Sequence, residues 1–560
     1  MISRVPWGLL AWSAVFALAH TQSPLYYSNQ NQYFLHGLAD AGYGHLSEDW
    51  LANTRDPTPV FSGLVQFTYR HAGEWPFYVY YAILLFVYFI SLVHLCDILP
   101  ARPTSAASRL IFFALLVAAH AAVFRWTSVR LFGADYPWYL HCGVANQYVL
   151  GPGLQPSAFG VLLIASIAAF AHGRISLAGA CCCGAAIFHS TYLLPAAFLT
   201  LAYMVVLWRD GSRRGALLLG AGSLIAVLPV VVYNLRQFAP SSAEAFSEAQ
   251  HLLAQFRIPH HALIERWLDK TAVAQIVWIT VGIVLTRGSR LFPVLLISGA
   301  LGLALTLVQA VTKSDTLALL FPWRISATLM PVASAVILAR VSGLLGRLME
   351  GNSAARRTSL QVVCIVAGVV MAIGGGVMMA LGTSYLMSPD EVAVMDHVYD
   401  HGRSGEVYLL PIAVPDLASA PRGSFSTSFT PAPRAGKDKH LITVDLQRFR
   451  LYTGAPIYVD FKAIPYKDTE VLEWRRRLRQ IEEWYGHGVW KPEQRIAAGL
   501  VAGPFAEEWA SRAAWDSNTH HELVHEGVTH VLGTAGREPR GEFLEEVYAD
   551  EAYRIYRVRR

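Results

Sequence analysis

Charge is scarce in this sequence. Only 15% of its 560 residues are Asp, Glu, Lys or Arg, against roughly 25% in an ordinary soluble domain, which excludes a wholly water-soluble chain. The scarcity is uneven. Residues 1–388 hold 14 of the 40 acidic residues, and all the others crowd into 389–560. Cysteine is rarer still: six are present, three of them the consecutive Cys181-Cys182-Cys183, none lies beyond Cys364, and no CxxC pair occurs. A disulfide-stapled secreted scaffold is therefore excluded, and a thiolate zinc site is not supported. Basic stripes interleaved with aromatics are missing too. Despite a net charge of +5, nucleic acid is not an expected partner.

Apolar runs are abundant. A membrane-spanning helix needs roughly 20 mostly apolar residues, and eleven segments approach that: 7–20, 76–98, 108–124, 156–172, 176–190, 191–208, 215–233, 272–286, 291–309, 319–341 and 360–384. The expected fold is a polytopic α-helical membrane protein of about eleven transmembrane helices, residues 1–388, followed by a soluble α/β domain, residues 389–560. Arg102, Arg109, Arg174, Arg209, Arg213, Arg214, Arg287, Arg290, Arg340, Arg347, Arg356 and Arg357 fall in alternate short loops. The positive-inside rule puts those loops in the cytoplasm, and the long first loop (22–75) and the tail outside. Arg4 followed by a short apolar run and Ala17-Leu18-Ala19 also fits a cleaved signal peptide. The Gly374-Gly375-Gly376 run permits close helix packing or a kink.

Chemistry is expected in the outer loops. The first carries Asp40, Glu48, Asp49 and Asp56 close together. Apolar positions from Tyr33 to Leu38 fall at helical spacing, as in a helix lying along a membrane surface. Asp49 and Asp56 suit helix caps, since Asp56-Pro57 is a usual helix start; they and Asp40 equally suit a general base or a metal ligand at the interface. Arg257, His260 and His261 lie in the loop 234–271, Arg324 follows Phe321-Pro322-Trp323, and His189 and Tyr192 sit at another span's mouth. An Arg or His at such depth is costly unless paired or facing a wet cavity, and cations converging on one point suit a phosphate. Snorkelling of Arg324 and simple solvation of the His pair are the plainer alternatives.

The tail alternates strand-like pieces (Val407–Pro411, Pro456–Asp460, Val528–Leu532) with an amphipathic helix from Thr469 to Tyr485. It also contains His521-Glu522-Leu523-Val524-His525. Two His at i and i+4 on a helix, with Glu546 as third ligand, match a gluzincin peptidase string with Glu522 as base. Gly527 reads instead as a helix stop with a strand beginning at Val528, and the segment from Glu545 to Val558 as a closing strand. No metal is therefore assigned to these residues.

A long acidic loop after the first span, many short spans and an outer C-terminal α/β domain resemble the GT-C superfamily of membrane glycosyltransferases. Asn29-Gln-Asn-Gln-Tyr-Phe-Leu-His36 and Asp49-Trp-Leu-Ala resemble uncharacterised bacterial membrane proteins. The first resemblance implies an inverting transferase in a bacterial inner membrane, with its soluble domain on the periplasmic or extracellular side. Such an enzyme moves a sugar from a polyprenyl-phosphate donor to a glycan or lipid acceptor. The resemblance implies a loop-one carboxylate as base (Asp49, then Asp56 or Asp40), and Arg257, His260, His261, Arg324, His189 and Tyr192 around the phosphate. No cofactor is assigned, and a divalent metal ion at loop one stays open. The chain departs from the family where an Asp is usual just beyond the first span, having Ser28-Asn29-Gln30 instead. An amide cannot serve as a base at neutral pH, so a zinc peptidase or a non-catalytic relative remains the alternative.

Overall fold

The computed structural model describes residues 7–99, 102–350, 354–382, 389–412, 414, 417, 446–485, 515–535 and 538–560. The chain divides into two compact units. The first comprises Met1–Ser23, Trp75–Tyr233 and His261–Ser384; the second comprises Pro24–Glu74, Asn234–His260 and Tyr385–Arg560. The expected division at residue 388 is thus not the one the fold makes. Loop one and part of the 234–271 loop belong with the tail in a single unit.

The first unit is helical and apolar. Among the described residues six helices are long and apolar enough to cross a membrane: Trp75–Asp97, Ser190–Arg209, Arg213–Gln237, Leu291–Thr312, Asp315–Leu348 and Thr358–Ala380. A seventh arises if Ala106–Ala118 and Ala122–Phe132, bent 57° from one another, form one span. Trp7–His20, Pro156–Ala171, Ile175–Phe188 and Lys270–Leu285 are apolar helices too short for that test. All eleven predicted segments are largely helical, and among the described residues six, or seven with the bent pair, are long and apolar enough to cross a membrane. The glycine run does allow close packing: a Cβ at Gly375 would overlap the backbone of Leu18 and Ala19.

Between Tyr136 and Phe159 the first unit has no long helix. Instead 3-10 turns alternate with loop, and Ala145 (φ 57°) and Asn146 (φ 52°) adopt the left-handed region. That conformation is costly for residues with a Cβ, so neighbours must hold it. Gln275 Nε2 donates to the Cys142 carbonyl at 2.9 Å, Val144 N–H donates to Ser326 Oγ at 3.0 Å, and the His261 ring lies 2.6 Å from the Ala145 carbonyl.

The second unit carries a four-stranded sheet of order β1-β2-β4-β3, with β1 Tyr408–Leu409, β2 His530–Thr534, β3 Leu544–Ala549 and β4 Tyr553–Val558. β1 and β2 are parallel and the other pairs antiparallel. Val394, Met395, Tyr408, Phe449, Leu532 and Ile555 meet in its core. The helix Asp468–Trp484 buries Val471, Trp474, Leu478 and Ile481, a stripe at helical spacing. The strand expected at Pro456–Asp460 reduces to one bridge, Tyr408 to Ile457. Tyr408 N–H donates to the Pro456 carbonyl at 3.0 Å and Tyr458 N–H to the Tyr408 carbonyl at 2.9 Å. The Ile457 N–H, directed away from β1, donates to Asp49 Oδ2 at 3.0 Å.

Loop one also departs from expectation. Its apolar stripe does not face a lipid surface: Phe34, Leu35 and Leu38 are fully buried, on the helix Leu35–Ala41 and its cap. The helix Pro59–Ala72 packs closely on this one, so closely that a Cβ at Gly37 would meet Ser62 and Val65.

Candidate functional site

The loop-one carboxylates have very different surroundings. Asp49 is wholly buried. Its Oδ1 accepts the N–H groups of Leu51 at 2.9 Å and Ala52 at 3.3 Å, capping a 3-10 turn. Its Oδ2 accepts from Ile457 N–H, as above, and from Arg450 Nε at 2.9 Å. Arg450 in turn pairs with Asp460 at 2.9 Å. The geometry is that of a buried ion pair whose carboxylate also caps a turn. Asp56 is half-buried, with Oδ1 accepting the Thr58 N–H at 2.8 Å just ahead of the helix at Pro59. Asp40 is exposed at the end of its helix.

Arg257 closes a six-residue π-helical turn, Leu252–Arg257, a rare geometry that concentrates at functional sites. The guanidinium is buried, lies over the Phe461 ring at 5.0 Å, and donates to the Lys462 carbonyl at 2.7 Å. Burial pulls its pKa down to about 10, against the opposing pull of Tyr466 and Asp460. His260 is half-buried on the next turn. Glu470, whose carboxylate receives the Arg55 N–H at 3.0 Å, has no sequence signal of its own; burial raises it above the usual carboxylate range.

The remaining predicted residues belong to the first unit, where Arg324 is the centre. Only 8% of it is exposed. Nη1 donates to Gln147 Oε1 at 2.6 Å, and the guanidinium sits 4.8 Å above the Tyr192 ring. Its Nε is buried without a hydrogen-bond partner. Among the described residues no carboxylate pairs with it. Tyr192 is fully buried, donates to the Ser157 carbonyl at 2.6 Å and meets the His189 ring edge-on at 5.6 Å. His261 lies behind: its carbonyl accepts from Trp323 Nε1 at 3.1 Å. The strained segment Ala145–Asn146 immediately precedes Gln147, and Phe321 (φ 49°) opens the turn that bears Arg324. Gln147 had no motif to announce it, since a lone glutamine in a polar loop carries no spacing signal.

The zinc string does not assemble. His521 and His525 are exposed on the helix Ser517–His525, and Glu522 accepts from Trp484 Nε1 at 2.8 Å and Asn518 at 2.9 Å. Glu546 lies on β3, paired with Tyr556. Among the described residues no three His, Cys, Asp or Glu are placed to hold a metal ion. Gly527 takes φ 77° right after the helix, which is the stop read from sequence.

Residues 436–481 match a family described as a domain of unknown function (DUF6798). This stretch contains Arg450, Gly454, Asp460, Lys462 and Glu470. No curated protein matches the chain.

Proposed function

We propose that this protein is a membrane-embedded glycosyltransferase acting on the outer face of a bacterial plasma membrane. It would draw a sugar from a polyprenyl-phosphate carrier and pass it to a glycan or lipid acceptor. The supporting observation is Arg324, a buried guanidinium held by neutral groups with a donor left over. A charge kept from water without a counter-ion is expensive, and a phosphate would neutralise it while accepting the spare N–H. Gln147 and the Tyr192 ring fix the guanidinium plane, so the donor is pre-oriented.

In the reaction the acceptor oxygen bonds to the sugar's anomeric carbon as the bond from that carbon to the phosphate oxygen breaks. The bonding pair leaves with the phosphate, whose growing charge Arg324 stabilises. A carboxylate removes the acceptor proton. Asp49, the first loop-one candidate for this role, is poorly suited to it, because its oxygens are engaged by four donors. That engagement is also what favours a second reading, a non-catalytic relative.

Transfer of labelled sugar from a polyprenyl-phosphate donor in proteoliposomes separates the two. Arg324→Gln should reduce transfer at least about a hundredfold, on the scale of losing one electrostatic contribution. Wild-type levels in that variant would remove the transferase scheme, and a wild-type protein with no transfer would leave the non-catalytic one.

A further inference from the structure

In the second unit Arg257 is joined to the backbone of Lys462, and among the described residues neither of these two cations forms an ion pair. Arg257 is 5% exposed, and its Nε is buried with no hydrogen-bond partner. Its Nη2 is tied to the carbonyl of Lys462 and its face to Phe461, so the guanidinium cannot swing away to solvent. Lys462 forms no ion pair or side-chain hydrogen bond among the described residues. Burial first, and Arg257 second, push its ammonium down to about 7, while Asp460 opposes them. Asp460 is a compensating charge nearby, yet both its oxygens are spoken for: Oδ2 by Arg450 at 2.9 Å and Oδ1 by the Ala463 N–H at 2.5 Å.

Arg257 is buried and Lys462 half-buried. Like charges near one another repel, and the buried one loses hydration as well, so a fold seldom places them there without a compensating ligand. Two phenolic rings, Tyr33 and Tyr466, are close enough to act on Arg257, and Gln32 Nε2 donates to Tyr466 Oη at 2.8 Å. Polar hydrogen-bonding groups thus accompany the cations. The π-helical turn that delivers Arg257 is a third sign of a site built for a purpose.

We infer that Arg257 and Lys462 form an oxyanion-binding site for a phosphate-type group, separate from Arg324 and independent of the transferase scheme. Arg257 supplies the planar donor and Lys462 the compact charge, the combination that suits a tetrahedral oxyanion. The phosphate belongs either to a soluble molecule or to a lipid headgroup.

The full-length protein in detergent, carrying Arg324→Gln to remove anion binding in the first unit, is titrated calorimetrically with inorganic phosphate. The same protein is tested for flotation with phosphatidylcholine vesicles with and without phosphatidic acid. Binding of inorganic phosphate marks a soluble source; retention only on phosphatidic acid vesicles marks a headgroup. In either case Lys462→Gln should weaken binding at least about tenfold, the scale of losing one charge-assisted contact, and Lys462→Arg should restore most of it. Lys462→Gln that binds as well as its parent overturns the assignment, and so does a parent that takes up neither ligand. Should Lys462→Gln fail to fold, Arg257→Lys serves in its place, with weakened binding expected and unchanged binding fatal. Loss of transfer activity in Arg324→Gln alone has no bearing on these outcomes.

Discussion

Asp49 and Arg450 meet at 2.9 Å although 401 positions separate them in the chain. Both are shut off from water, with 0% and 2% of their side chains exposed. A buried pair of this kind adds little over an apolar pair of the same shape, yet it is costly to break from one side. Arg450→Met leaves the Asp49 carboxylate uncompensated and should cost about 3–5 kcal/mol. Asp49→Asn with Arg450→Met should cost less than Arg450→Met alone. Urea-dependent proteolysis of the second unit measures both, and equal losses would show that the charge pairing is not what matters.

Gly44 and Gly454 face each other across the same junction. Gly44 has φ 54° and Gly454 φ 68°, and a Cβ on Gly44 would sit within 2.5 Å of the Gly454 carbonyl oxygen. The His45 N–H donates to that carbonyl at 2.7 Å. Gly44→Ala therefore meets a left-handed backbone and a backbone clash together, and about 2–4 kcal/mol of destabilisation is expected. Gly42→Ala, with φ 81° but open space around it, should cost only the backbone contribution of about 1–2 kcal/mol. Comparing their unfolding midpoints isolates the clash.

Acid should loosen the second unit through Glu526. Burial alone would raise this carboxyl, but hydrogen bonds from Arg476, Gln480 and Tyr458 outweigh it and hold it at about 2, against an ordinary 4.5. A depressed carboxylate contributes stability that is complete above its unfolded value and lost as the pH falls toward its folded one. The loss should thus run from about pH 4.5 down to about pH 2. Glu526→Gln should flatten that part of the profile in a thermal-melt series, and an unchanged slope would contradict it.

Gly160→Ala tests Arg324 without touching a charge. A Cβ there would overlap the Tyr192 hydroxyl, displacing the ring on which the guanidinium rests. Binding of a polyprenyl-phosphate probe should weaken about tenfold or more, consistent with the sensitivity of such sites to small displacements. A variant that binds normally would show that the ring is not a support.

The membrane helices were legible because hydropathy is a local property; each predicted segment is helical within a few residues. Their lengths were not, since whether 175–188 or 7–20 crosses a bilayer depends on neighbours. Gly527 and the strand after it were readable because a glycine stop needs only its own backbone. Asp49 stands out in the sequence for a sound reason, an acid in a sparsely charged loop, but its partner lies in the tail. No rule of spacing links positions 49 and 450. Lys462 escapes notice for the opposite reason: as one basic residue among many in a polar tail, only its surroundings distinguish it.

The second unit is assembled from three pieces of chain, and that has a consequence in time. Arg450 leaves the ribosome 376 residues after Glu74, which at ordinary synthesis rates is roughly 20–75 s later. During that interval the acidic loop has been made but its counter-charge has not. Asp49 must wait hydrated while the spans between Glu74 and the tail are inserted. A nascent chain stalled before residue 450 therefore displays in loop one an acid without its counter-charge, a state distinct from the finished protein.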